Sequence, residues 1–162
     1  KDVLHGGPRT YGVLMATIGA GALCGALFLA SRRGVDGLGR SAALGALVFG
    51  ASLVLLTFAH SIPLSTVLLF FAGAGMMVQL ASCNTILQTL SDDDKRGRVM
   101  SFYSLSLMGM SPFGSLLAGW LAGRVSPQAP FLIGGLSCLL GASAFWRALP
   151  RSTLACEKAA PG

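Results

Sequence analysis

Polar positions along this chain come in short clusters, and the stretches between them are long and apolar. No charged residue occurs from Gly12 to Ala30, from Ser41 to Ser91, from Val99 to Gly123 or from Val125 to Trp146. A helix needs about 20 apolar residues to cross the hydrocarbon core of a bilayer. The longest run is broken only by His60-Ser61-Ile62-Pro63, a polar step ending in a residue that starts helices more readily than it continues them. Dividing it there predicts five spans, 12–30, 41–59, 64–90, 99–122 and 130–149. The expected fold is therefore all-α, a polytopic transmembrane helix bundle occupying residues 1–150. Arg147 beside Trp146 closes the last span, the cation reaching towards the interface where the aromatic sits. Lys1 to Pro8 reads as a connector, and residues 151–162 as a cytoplasmic tail without regular structure. No short apolar segment precedes a cleavage site near Lys1, so no signal peptide is expected.

Composition strengthens this reading. Charged residues make up 11% of the chain, against about 25% in an ordinary soluble domain. So few charges cannot cover a soluble surface without large apolar patches. The formal net charge of +6 does not indicate nucleic acid, because the charges lie in short connectors and form no basic stripe interleaved with aromatics. Their placement instead sets an orientation. If the first span enters from outside, inner segments hold Arg32, Arg33, Arg40, Lys95, Arg96, Arg98, Arg147, Arg151 and Lys158, and outer segments only Lys1, Arg9 and Arg124. That bias predicts a multi-pass protein of the cell (inner) membrane with a cytoplasmic C-terminus.

Cys24, Cys83, Cys138 and Cys156 form no CxxC pair, and three of them lie within apolar runs. They point to packing rather than to a disulfide framework or a zinc site. Small residues recur every fourth position at Gly21 and Gly25, at Ala46 and Gly50, and at Ser115, Gly119 and Gly123. Such spacing lets helices approach closely.

Two stretches carry a family signal. Arg96-Gly97-Arg98-Val99-Met100-Ser101, then Gly109 and Pro112-Phe113-Gly114-Ser115-Leu116-Leu117-Ala118-Gly119-Trp120-Leu121-Ala122, resembles a cytoplasmic loop and the eleventh helix of major facilitator superfamily transporters. The likeness is to the branch of the enterobactin exporter and related drug exporters. Asn84-Thr85-Ile86-Leu87-Gln88 is similar to the end of the tenth helix in that branch, and Tyr11-Gly12 with Gly19, Gly21 and Gly25 to the start of the eighth. The resemblance implies helices eight to twelve of a twelve-helix fold, a partial C-terminal repeat whose N-terminal six-helix repeat and seventh helix are its missing partners. Such transporters bind substrate between their two repeats near the midplane, so these helices supply one wall. The family's D-R-x-G-R loop is matched here by Asp36, Gly39 and Arg40, but Gly37 stands where a basic residue is expected. This departure weakens a gating role for the loop.

The chemistry follows from which polar residues lie at depth. All six acidic residues, Asp2, Asp36, Asp92, Asp93, Asp94 and Glu157, lie in connectors, and both histidines lie in outer loops. No intramembrane proton carrier is offered. No phosphate loop, metal-ligand cluster or nucleophile–base pair occurs, so neither an enzyme nor a cofactor is expected. Asn84 and Gln88 are four apart on one helical face with Thr85 adjoining. They read as substrate contacts, or as a hydrogen bond between helices near the cytoplasmic end. Gln79 lies deeper on another face. In the fourth span Ser104 and Met108 share a face with Ser111 and could line an adaptable cavity or serve core packing, and Pro112 following Gly109 marks a bend or break. Asp36, Arg40, Arg96 and Arg98 form a possible cytoplasmic gate, against the plainer reading of a solvated loop. The expected function is secondary active transport, export of a small organic molecule (siderophore or drug-like) by alternating access. The lipid bilayer and a small-molecule substrate are the partners, with no nucleic acid. The alternative is a non-transporting membrane scaffold or assembly subunit.

Overall fold

Prolines stand in the first turns of three helices, where a missing N–H costs nothing because that donor has no helical partner. The computed structural model describes residues 8–31, 37–59, 61–126 and 128–159. It contains five helices, α1 (Pro8–Ala30), α2 (Leu38–Thr57), α3 (Ile62–Leu90), α4 (Arg96–Arg124) and α5 (Ala129–Ala159), and each has a stretch long and apolar enough to cross a membrane. Pro8, Pro63 and Pro130 open α1, α3 and α5. Placing Pro8 in a connector is thus corrected: it starts the helix.

Two further expectations change. Pro112 neither breaks nor ends its helix, since α4 is continuous from Arg96 to Arg124. The lost N–H frees one carbonyl four residues back, that of Met108, while the Ser115 hydroxyl donates to the Ser111 carbonyl at 2.6 Å and so adds a local bond over the same turn. Residues 151–159 are helical rather than irregular. Leu154, Ala155, Glu157, Lys158 and Ala159 are good helix formers, and only the stretch Ala129–Arg147 is apolar enough to span.

The packing order in space is α1, α3, α2, α5, with α4 touching α5 and α3 only sparsely. Glycines set the separations. A Cβ on Gly21 would fall on the Phe70 carbonyl and one on Gly73 on that of Ile18, so α1 and α3 lie backbone to backbone. Gly25 meets Ala74 as Gly21 meets Phe70. Both positions advance by four, and the two helices run parallel. Gly45 and Gly75 face each other across α2 and α3, where a Cβ on either would come within 2.7–2.8 Å of the other's carbonyl. Gly50 meets Gly135 in the same way between α2 and α5. Cys138 follows Gly135 while its partner Ala46 precedes Gly50, so α2 and α5 are antiparallel, as an up-and-down thread through a membrane requires. The expectation of glycine-mediated contact holds for Gly21, Gly25 and Gly50. Gly119 and Gly123 on α4 meet nothing within 4 Å.

The core is built from small side chains. Among the described residues the buried apolar ones are Ala42, Ala43, Ala46, Ala59, Ala72 and Ala142, with only Leu38 and Leu68 among the larger side chains. Phe102, Met108, Phe113 and Leu116 stand outside, each at least 69% exposed. A water-soluble fold reverses this order, because burial of large apolar groups drives it. Here backbone approach and van der Waals contact hold the helices, as expected where lipid rather than water surrounds a bundle.

Candidate functional site

Asn84, Thr85 and Gln88 lie in the last two turns of α3. The Gln88 side-chain amide donates to Asn84 Oδ1 at 3.0 Å, so the two amides satisfy one another along their own helix. The bond between helices envisaged as an alternative is replaced by this i,i+4 pair. With that bond made, the Asn84 amide N–H groups and the Gln88 carbonyl oxygen remain, a donor beside an acceptor. The Thr85 hydroxyl donates to the Ala81 carbonyl at 2.9 Å, which occupies its proton and leaves its lone pairs. Gln88 and Thr85 are exposed and Asn84 is half-buried. Such a face can bind a molecule carrying both hydrogen-bond types.

Gln79 is not part of that face. It lines a cavity of about 270 Å³ between α2, α3 and α5, together with Cys83, Cys138, Phe145 and the alanines of α2. Its amide makes no hydrogen bond to another described residue. Ser104 and Met108 are exposed on α4, where no described residue is buried, and no hydrogen bond joins Ser104 to the amides of α3. Sequence spacing placed Cys83 and Cys138 in separate helices with no hint that they share one cavity. Their juxtaposition depends on the Gly50–Gly135 contact, which no local pattern discloses. Ser82, fully buried on α3, has a hydroxyl without a partner.

The proposed gate residues have separate roles. Arg96 donates through Nε to the Gln88 main-chain carbonyl at 3.0 Å and through its terminal nitrogen to Asp93 at 2.9 Å. It thereby caps α3 and fastens the turn to α4, satisfying one of the carbonyls a helix end leaves open. Lys95 pairs with Asp92 at 3.8 Å. Arg40 and Arg98 are exposed on the first turns of α2 and α4. Asp36 lies outside the described residues. Gly37 caps α2 with φ of 79°, a left-handed conformation that suits glycine and strains a side chain bearing Cβ. That gives a conformational reason for glycine where the family loop has a basic residue.

Among the described residues there is no group of three or more histidine, cysteine or acidic side chains able to hold a metal ion. Comparison with known proteins returns no curated protein and no solved structure that matches. The family model of the Major Facilitator Superfamily matches residues 1–162. Five membrane-length helices with an inverted core fit that match, and the chain belongs to the major facilitator superfamily.

Proposed function

We propose that the chain forms helices eight to twelve of a secondary transporter that exports small organic molecules by alternating access. Membership of the superfamily makes it a membrane transporter. Export of a siderophore-like or drug-like substrate rests on the resemblance of the stretch from Arg96 to Ala122. The observation that carries the substrate role is the Asn84–Gln88 pair, a donor and an acceptor held ready on one face of α3. Polar groups within a membrane-length helix are costly unless matched, and a pair that satisfies itself lowers the cost while keeping one group of each kind for a ligand. Ser104 and Met108 contribute in this reading when α4 closes towards α3. Arg40, Arg98 and Asp36 contribute at the inner gate, with Arg96 holding the turn. Rocking of the two repeats exposes the amides to each side in turn.

The test reconstitutes in liposomes both the 162-residue chain and the longer protein of which it would be the C-terminal part. Uptake of lipophilic dyes and siderophores is measured with an imposed pH gradient. Saturable uptake by the longer protein is expected, lowered by Asn84→Ala and Gln88→Ala more than by Leu80→Ala at matched expression. The 162-residue chain alone is expected to insert without transporting, because it has one wall of the cavity and no intramembrane acid or base. Gradient-dependent uptake by that chain, or indifference to both amide substitutions, would overturn the proposal.

A further inference from the structure

At about 100° per residue, Gln79 stands about 140° around α3 from Asn84 and about 180° from Gln88. The cavity it lines therefore lies between α2, α3 and α5, open on one side where Phe145 is exposed, and behind the face assigned to the transported substrate. Its walls are Ala42, Ala43 and Ala46 of α2 with Gly141 and Ala142 of α5, small residues that leave space where larger ones would have met. Phe145 adds one flat aromatic wall. The polar groups are few and unequal. The Cys138 thiol is already engaged, donating to the Ala46 carbonyl at 3.4 Å. The Gln79 amide, by contrast, makes no hydrogen bond to any described residue, although an amide within a membrane span needs partners.

We propose that this cavity is a second ligand site, taking a compact, largely apolar molecule with a single hydroxyl or carbonyl that pairs with the Gln79 amide. The size follows from the volume. An apolar cavity of about 150 Å³ accepts benzene, so one of about 270 Å³ accepts a molecule of fused two-ring dimensions. The shape of the recognition matches ordinary small-molecule sites, mostly apolar walls with a few polar groups fixing orientation. Because α2, α3 and α5 all contribute walls, an occupant bridges the three and stiffens their packing. The site is independent of the direction of transport and of what is transported.

Two thiols in the wall make the proposal measurable. The protein in lipid nanodiscs is treated with N-ethylmaleimide, and alkylation of each cysteine is followed by peptide mass spectrometry. Cys24, exposed on α1 away from the cavity, is the internal reference. The probes are 2-naphthol and naphthalene, alike in size and differing by one hydroxyl. At about four times its Kd, 2-naphthol should slow alkylation of Cys83 and Cys138 about fivefold and leave Cys24 unchanged. Gln79→Leu should raise the Kd for 2-naphthol, read from the concentration dependence of protection, about threefold to tenfold, the value of one hydrogen bond, and leave that for naphthalene as it was. Ala142→Phe, which fills the cavity, should abolish protection by both. Equal slowing at Cys24 would reduce the effect to partition into lipid and overturn the site. Absence of slowing at Cys83 and Cys138 would overturn it too. Equal protection by the two probes before substitution would remove Gln79 as the recognising group, and with it the proposed ligand class.

Discussion

Replacing Gly45 and Gly75 by alanine, singly and together, probes the α2–α3 contact. A Cβ on Gly75 would lie 2.7 Å from the Gly45 carbonyl oxygen and 2.8 Å from the Phe49 nitrogen, while one on Gly45 would lie 2.8 Å from both the Gly75 oxygen and the Gln79 nitrogen. Ordinary contact begins near 3.4 Å, so either substitution pushes the helices apart by about 0.7 Å. A gap of that size forfeits a quarter to a half of the dispersion well for the atoms along the seam. Overpacking of this kind costs about 1–3 kcal/mol. Alanine returns about 0.5–1 kcal/mol as the better helix former, leaving each single variant less stable by about 0–2.5 kcal/mol. The same displacement accommodates both methyl groups, so the double variant should cost less than the two singles combined by about 1 kcal/mol. Reversible unfolding in mixed micelles by sodium dodecyl sulfate, followed by circular dichroism, measures all three. Gly119→Ala, whose new methyl meets nothing within 4 Å, is the control and should be neutral or stabilising. Singles that add to within about 0.3–0.5 kcal/mol, the limit for independent sites, would refute the shared-displacement argument.

Ser82→Ala should stabilise the bundle by about 1 kcal/mol or leave it unchanged, because it removes a buried hydroxyl that has no partner and whose desolvation is uncompensated; thermal unfolding in detergent checks this. Arg96→Ala should cost about 0.5–1.5 kcal/mol through the lost bond to the Gln88 carbonyl, and Arg96→Lys nearly as much, since lysine has no Nε–H. The Asp93 carboxylate is 91% exposed, so its ion pair adds little, and a loss that disappears in about 1 M salt would transfer the effect to that pair. With the native cysteines replaced, Ser61→Cys should react with an impermeant thiol reagent on intact cells and Asp93→Cys should not. The reverse pattern would invert the orientation read from the basic residues.

Helix number and placement were legible because charge clusters interrupt the apolar runs, and a bilayer penalises any charge left inside one. The helix starts moved outward by one to four residues, while α2 ends early at Thr57 and α5 runs on to Ala159. Pro8 and Arg96 show why: first-turn residues need not be apolar, so hydrophobicity alone stops short of the helix start. The amide face of Asn84 and Gln88 was visible from its spacing of four. Their mutual bond was not, because spacing brings two amides together without deciding whether they meet each other or another helix. Gln79 was recognised as deep and differently directed, yet its cavity depends on alanines of α2 and a thiol of α5, more than thirty residues away on either side. Arg96 read as a gate because it is basic and lies in a loop. Its capping of α3 depends on the Asp92 carbonyl accepting from both Lys95 and Arg96 at 2.9 Å, a turn geometry that composition does not reveal.

The stapled turn before α4 has a mechanical consequence. α4 is 29 residues long, about 44 Å from end to end at 1.5 Å per residue, and it buries none of its described residues against the bundle. Tied to α3 at the Arg96 end by one side-chain bond and packed sparsely elsewhere, it can pivot about a single turn. A tilt of about 10° at the staple swings the Arg124 end through about 8 Å at that length. Trp120, with the Arg124 guanidinium 5.8 Å above its ring, rides on the end that travels farthest.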